Sequence, residues 1–139
     1  MSKLAPSVQL YTVRDAIAAD LPSAIAKVAA AGFTQVEPYG FVDRADEFVD
    51  ALKANNLTAP TGHAKLIGED VVPILEAAKK LGIKTLIDPF TLPEFWTDVE
   101  AIKGFAAELL FAKFTGTHEL ILSPSVAWSN GKQIGRAHV

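Results

Sequence analysis

Two acidic residues and one histidine stand where short apolar segments of the sequence end. Glu37 follows "FTQV" and precedes Pro38, and Asp88 follows "IKTLI" and precedes Pro89. Proline has no backbone N–H and holds the residue before it extended, so each acid marks the end of a strand. His63 lies at the end of a third, weaker strand pattern. If these strand ends lie at the same edge of a sheet, their carboxylate and imidazole groups are suited to moving protons and to binding polar ligands.

Strand and helix patterns alternate along the chain and would position these residues. β-branched and aromatic residues favour four strands, and apolar residues at helical spacing favour a helix after each one. The predicted strands cover 7–13, 33–40, 57–66 and 83–90. Asp20 and Asp43 are predicted to cap the first two helices, and Thr97 with Glu100 forms a capping box for the fourth.

This alternation predicts an α/β fold whose parallel strands are joined by right-handed crossovers. The carboxyl ends of such strands share one rim, and ligands bind there in open sheets and in closed barrels. We expect Tyr11, Glu37, His63 and Asp88 on that rim, with the strands in the order 1-2-3-4. The alternative interpretation is that these are ordinary polar residues at places where buried strands reach water.

The composition narrows the classes of function. The chain has 139 residues, half of them apolar, which suits one domain with a sizeable core. Its net charge is −3 and no basic cluster is present, so a nucleic-acid partner is not expected. The absence of cysteine excludes disulfides, thiolate metal sites and cysteine nucleophiles. No apolar segment has the length of a membrane span or a signal peptide, and we predict a cytoplasmic protein without a membrane partner.

Several catalytic motifs are absent from the sequence. It contains neither a G-x-G-x-x-G nor a G-x-x-x-x-G-K-[ST] phosphate loop, and no G-x-S-x-G nucleophile elbow. His118 and Glu119 are adjacent, but the second histidine of an H-E-x-x-H metal motif is missing. These absences leave the polar rim as the feature that points to chemistry.

Five segments carry a resemblance to a known family. In order they read "VQLYTVRD", "AAAGFTQVEPYGF", "TGHAKL", "AAKKLGIKTLIDPF" and "FAAEL", and they run from Val8 to Leu109. Together they resemble the first half of sugar phosphate isomerases/epimerases of the xylose-isomerase-like TIM-barrel superfamily. The resemblance implies an α/β fold of about four parallel (β/α) units, with residues 1–110 equivalent to the N-terminal half of a TIM barrel.

The same resemblance implies a function. The complete family member is expected to hold a divalent metal (Mn, Mg, Co or Zn) and to move a proton on a sugar or a related polyol. By position, Glu37 and His63 resemble the family's substrate-side rim residues, and Gln9, Tyr11 and Asp88 are their neighbours. The principal metal ligands of the family lie at the ends of later strands. No metal ligand or catalytic residue is therefore assigned here, and we expect weak or no metal binding and no activity from this chain alone.

The C-terminal region departs from the family pattern. A TIM barrel needs about 250 residues, and residues 111–132 are interpreted as a divergent or frame-shifted tail. The last six residues, "IGRAHV", are encoded by ATC-GGA-AGA-GCA-CAC-GTC, the start of a widely used short-read sequencing adapter, and Gln133 as CAG supplies the preceding AG. We hypothesise that residues 133–139 are adapter read-through. The coding DNA through these codons tests the hypothesis.

Three alternatives to an isomerase/epimerase fragment remain open from the sequence. One is a relative of abasic-site endonucleases, which the lack of a basic stripe disfavours. Another is a small non-catalytic α/β binding module of flavodoxin-like type, which needs a fifth strand that only "HELILSPSVAW" could provide. The third is a partly folded fragment with no function of its own. Separately, the unpaired edges of strands one and four in a half barrel are expected to make the chain dimerise or aggregate.

Overall fold

The computed structural model of the chain describes residues 5–89, 97–104, 119–122, 128–129 and 132–133. The predicted end of the fourth helix and most of the tail assigned to 111–139 lie outside these residues. Within them, five short parallel strands alternate with helices, followed by a two-stranded antiparallel hairpin. The strands are β1 Ser7–Gln9, β2 Gln35–Glu37, β3 Thr61–His63, β4 Thr85–Asp88, β5 Glu119–Leu122, β6 Trp128–Ser129 and β7 Lys132–Gln133.

The parallel strands lie side by side in chain order. β1 pairs with β2, β3 with β4, and β4 with β5. Backbone bonds join β2 to β3: Val36 N–H donates to the Thr58 carbonyl at 2.9 Å, and His63 N–H donates to the Pro38 carbonyl at 2.8 Å. The predicted order 1-2-3-4 is therefore confirmed, and a fifth strand extends it. The order 1-2-3-4-5 is that of consecutive barrel units, whereas a flavodoxin-like sheet has the order 2-1-3-4-5.

Helices cover one face of the sheet. They are α1 Arg14–Ala19, α2 Leu21–Ala30, α3 Ala45–Ala54 and α4 Val71–Leu81, with a 3₁₀ helix at Leu10–Val13 and a helical segment at 99–104. The predicted first strand was wrong over residues 10–13, where the chain turns away from the sheet and buries Leu10 completely. Tertiary packing overrides the strand propensity of "LYTV" at this point.

The helix ends test the capping predictions. The Asp20 carboxylate accepts a bond from Ser23 N–H at 3.0 Å, which confirms it as the cap of α2 and separates α2 from α1. The prediction for Asp43 was wrong, because Arg44 occupies the N-cap position of α3 and no side chain caps that helix. At the helical segment 99–104, Asp98 accepts a bond from Ala101 N–H at 2.9 Å, one residue after the predicted cap.

The core lies between the helices and the sheet. Val36 and Leu86 point from the strands into it and are fully buried, together with Phe41 and Ile25. Gly62 occupies the corresponding position of β3, where a Cβ atom would lie 2.6 Å from Ile83 Cδ1. β3 and the segment that connects α4 to β4 can therefore approach closely only because residue 62 has no side chain.

The opposite face of the strands β1 to β4 is mostly polar, and we call it the polar face. It carries Ser7, Gln9, Gln35, Glu37, Thr61, His63, Thr85 and Ile87. The inward positions of a TIM barrel are more often filled by bulky branched residues. A polar face is compatible with water or a polar ligand along the inner surface of these strands.

An irregularity in β3 aligns this face. Gln35 pairs with Thr58, and Tyr39 pairs with His63. Between these two pairs the chain advances five residues from Thr58 to His63 but only four from Gln35 to Tyr39. One extra residue is therefore inserted next to Pro60, as in a β-bulge. Because side chains alternate along a strand, the extra residue decides that His63 lies on the same face as Glu37.

β4 is not an edge strand. The sequence analysis expected strands one and four to have unpaired edges, but β4 pairs with β5 from Thr85 opposite Glu119 to Asp88 opposite Leu122. The expected edge at strand four is therefore covered. None of the helices in the described part of the chain is both long and apolar enough to cross a membrane.

Candidate functional site

The site is centred on a hydrogen-bonded carboxylate and imidazole. Glu37 ends β2 and His63 ends β3, and the distance from His63 Nε2 to Glu37 Oε2 is 2.8 Å. The His63 side chain is 10% exposed and that of Glu37 is 25% exposed, so the pair is held in the protein but still reaches solvent. An ionised carboxylate only accepts hydrogen bonds, so Nε2 carries the hydrogen of this contact. Such a pair can take up a proton while the carboxylate stabilises the imidazolium.

Residues from the first strand and its turn surround the pair. The Gln9 amide nitrogen lies 3.3 Å from both ring nitrogens of His63. Tyr11 follows in the 3₁₀ helix and is 53% exposed, with its ring edge-to-face against Tyr39 at a centroid distance of 5.1 Å. The Arg14 guanidinium lies over the Tyr11 ring, 4.8 Å from its centroid. An aromatic wall held by a cation–π contact therefore stands beside the polar pair.

A cleft of about 950 Å³ opens beside these groups at the carboxyl ends of the strands. His63 lines it, whereas Glu37 is bonded to His63 but is not among the described lining residues. The lining of the cleft includes Gln9, Tyr11, Tyr39, His63, Lys65 and Ile74. Apolar and aromatic walls with a few convergent polar groups are typical of small-molecule sites. The volume is within the range of such sites.

Charged groups line the outer part of the cleft. Lys65 Nζ donates to Glu69 Oε1 at 2.7 Å, and this bond raises the pKa of Lys65. Burial raises the pKa of Tyr39, and the nearby charge of Arg14 partly opposes that shift. Both groups therefore keep their protons at neutral pH, Lys65 as a cation and Tyr39 as a neutral phenol.

Asp88 lies at the same end of the sheet but has a different environment. It is 1% exposed, and its Oδ2 accepts bonds from the backbone N–H groups of Leu66 at 2.9 Å and Ile67 at 3.4 Å. It is not among the residues that line the cleft in the described part of the chain. The carboxylate holds the loop between β3 and α4 in place, and Lys65 projects from that loop.

The described residues do not by themselves form a metal centre. Within residues 5–89 and the shorter described segments, no group of three or more histidine, cysteine, aspartate or glutamate side chains could hold a metal ion. The pair Glu37 and His63 offers two ligand groups that bond to each other. Divalent cations in proteins use four or more ligands, so further ligands would have to come from elsewhere.

The structure brings Gln9, Tyr11, Glu37 and His63 together, as the sequence analysis expected of the rim. The Asp88 carboxylate instead faces the backbone of the loop between β3 and α4. Sequence reasoning missed Tyr39, although its position just after the acid–proline pair placed it at the end of the same strand.

Comparison with known proteins identifies the fold. The chain is similar to a sugar phosphate isomerase/epimerase from Parabacteroides distasonis, with a TM-score of 0.64 and 12% identity, over 84% of this chain and 49% of that one. It is also similar to an AP endonuclease, family 2, from Brucella melitensis, with a TM-score of 0.60 and 20% identity, over 73% of this chain and 48% of that one. No protein-family model and no curated protein matches it.

At these identities the likeness is one of fold, and it confirms the fold inferred from the sequence resemblance. The chain has α/β architecture with parallel strands, and its fold matches about half of each of these two structures, as a part of a TIM barrel would. It spans about half the length of each of the two solved structures, at 49% and 48%.

Proposed function

We propose that the cleft is part of the substrate rim of a metal-dependent sugar or sugar phosphate isomerase/epimerase. The observation that carries this proposal is His63, which lines the cleft and is hydrogen-bonded to Glu37 at the end of the adjacent strand. A polyol presents several hydroxyl groups, and these need donors and acceptors at fixed positions. Gln9, Glu37 and His63 supply them from three neighbouring strands.

The other walls of the cleft support the same class of ligand. The exposed Tyr11 ring offers a flat apolar surface for the C–H face of a sugar, beside the polar pair. Lys65 provides a positive charge at the outer edge that could meet a phosphate group, although Glu69 neutralises it in this state. Asp88 contributes by holding the loop that carries Lys65, rather than by contacting the substrate.

The proposal assigns binding to this chain and leaves the metal chemistry to the complete barrel. A divalent metal there would polarise a carbonyl or hydroxyl group of the substrate. Manganese and magnesium should bind only weakly to the chain, and sugar isomerisation should be undetectable unless a complementary half barrel is supplied. Tight stoichiometric metal binding together with ketose–aldose turnover by the chain alone would contradict this assignment.

Titration of the ¹⁵N-labelled full chain with D-fructose and with an inosose, followed by NMR, tests the substrate class. Weak binding should perturb the signals of Gln9, Tyr11 and His63 before those of the helices. Glu37→Gln and His63→Gln should weaken the binding at least several-fold, because each removes a hydrogen-bonding or charged group from the pair. Glu76→Gln, on the exposed side of α4, is the matched control and should bind as the parent chain does.

Binding that is unchanged in both rim variants, or signal changes that lie away from the cleft, would refute the proposal. A second candidate, an abasic-site endonuclease, is suggested by the similarity in fold to such a protein. The net charge of −3 disfavours it, because phosphate contacts need clustered lysine and arginine. Salt-dependent binding of a duplex containing an abasic site, at concentrations where fructose does not bind, would favour that candidate instead.

A further inference from the structure

The charged side chains at the outer end of the cleft are mostly acidic. Asp43, Glu69 and Asp70 carry carboxylates there, and Lys65 carries the one ammonium group among the described lining residues. Lys65 is not a free cation, because its Nζ donates to Glu69 Oε1 at 2.7 Å. A ligand that reaches this part of the cleft therefore meets an excess of negative charge.

The first turn of α4 lines the same part of the cleft through Asp70, Pro73 and Ile74. The N-terminus of a helix favours anions, because its N–H groups and dipole point outward. Here Asp70 is the N-cap, and its carboxylate accepts a hydrogen bond from Val72 N–H at 3.1 Å. Pro73 has no N–H to offer. The positive end of α4 is thus already occupied by a carboxylate of the chain itself.

Two arginines lie close enough to the lining residue Tyr39 for their charges to act on its phenol. Arg14 Nε lies 4.0 Å from Asp15 Oδ1, and Arg44 makes two hydrogen bonds of 2.8 Å to Glu47. Neither arginine is among the residues that line the cleft within the described ranges. Each cation around the cleft therefore has a carboxylate beside it.

We propose that Glu69 and Asp70 are specificity-determining residues, which make the cleft accept uncharged polyols and reject phosphorylated ones. This rests on the proposed function, because it chooses between the sugar and the sugar phosphate as ligands of the same cleft. A phosphate group carries about 1.5 to 2 negative charges at neutral pH. It would have to displace Glu69 from Lys65 and remain close to Asp70. A hydroxyl group meets no such repulsion and can donate hydrogen bonds to the same carboxylates.

The test compares the binding of inorganic phosphate to the parent chain and to two double variants of equal net charge. Glu69→Gln/Asp70→Asn removes both carboxylates, and asparagine caps a helix as well as aspartate does, so α4 should still begin at the same residue. Asp50→Asn/Glu76→Gln is the matched control, at exposed positions of α3 and α4 that do not line the cleft. Binding is followed by the backbone amide signal of Lys65 in the ¹⁵N-labelled full chain, at pH 7.5 and a constant low ionic strength.

Phosphate should bind the variant at positions 69 and 70 about tenfold more tightly than the parent chain, because two like charges beside the bound anion are removed. The gain should shrink when sodium chloride is added, since salt screens exposed charges. The control should bind phosphate as the parent chain does. Equal phosphate affinity of the parent chain and the variant at positions 69 and 70, or an equal gain in the control, would overturn the proposal.

A comparison of D-fructose with D-fructose 6-phosphate needs no variant. The parent chain should bind the free sugar more tightly, and the variant at positions 69 and 70 should lose or reverse this preference. Tighter binding of the phosphorylated sugar to the parent chain would also overturn the proposal. Failure of both sugars to bind, with the phosphate result as expected, would refute the proposed function and leave the roles of Glu69 and Asp70 in place, so the two failures are distinguishable.

Discussion

Gly62 offers a direct test of how β3 fits against the segment that connects α4 to β4. A Cβ atom at this position would lie 2.6 Å from Ile83 Cδ1 and 3.3 Å from Phe41 Cε1. Both neighbours are buried, with exposures of 2% for Ile83 and 0% for Phe41. Ile83 Cδ1 is the end of a side chain, but it can move only by displacing other core atoms. Gly62→Ala should therefore destabilise the protein by about 1–3 kcal/mol, as overpacked cores do.

The assay is urea unfolding of the full chain at 25 °C, followed by circular dichroism. Gly104→Ala is the matched control, because Gly104 is helical and a Cβ there meets nothing within 4 Å. That change should leave stability unchanged or raise it by about 0.5–1 kcal/mol through the higher helix propensity of alanine. The two variants add the same methyl group in opposite environments.

A double mutant isolates the proposed contact. Ile83→Val removes the Cδ1 atom and should cost about 0.5–1.5 kcal/mol in the parent chain. Combined with Gly62→Ala, the same change should cost less or become favourable, because it removes the atom that the new Cβ meets. A Gly62→Ala variant as stable as the parent, or an Ile83→Val cost that is equal in both backgrounds, would refute the reasoning.

Four further predictions use the same unfolding assay or light scattering. Thr61 Oγ1 is buried without a hydrogen-bond partner among the described residues, so Thr61→Val should keep stability or raise it by about 1 kcal/mol, and a clear loss would contradict this. Asp20→Ala should cost about 1 kcal/mol by removing the cap on Ser23 N–H. The raised pKa of Tyr39 favours its neutral form in the folded state, a contribution present below pH 10.0 and lost above it, so Tyr39→Phe should flatten the alkaline fall in stability. The outer side of β1 pairs with nothing among the described residues, so we expect concentration-dependent self-association, and a monomer by light scattering over a wide concentration range would contradict this.

The sequence predicted those features that depend on local chemistry. The acid–proline pair after "FTQV" marked the end of β2, and Asp20 marked the start of α2, because a missing N–H and a capping carboxylate act within a few residues. The alternation of strand and helix gave the α/β class and the parallel order, since short crossovers leave few other topologies. The resemblance of five short segments gave the barrel fold that the structural comparisons support.

Tertiary structure decided what depends on contacts between distant segments. "LYTV" has strand propensity, but burial of Leu10 turns it into a 3₁₀ helix. Asp88 has the same acid–proline signature as Glu37, yet its carboxylate turns to the backbone of Leu66. The extra residue in β3 determines that His63 faces Glu37, and only the pairing of both strands with their neighbours reveals it. A local pattern can show where a strand ends, but the direction in which its last side chain points depends on register, and register is set by packing across the sheet.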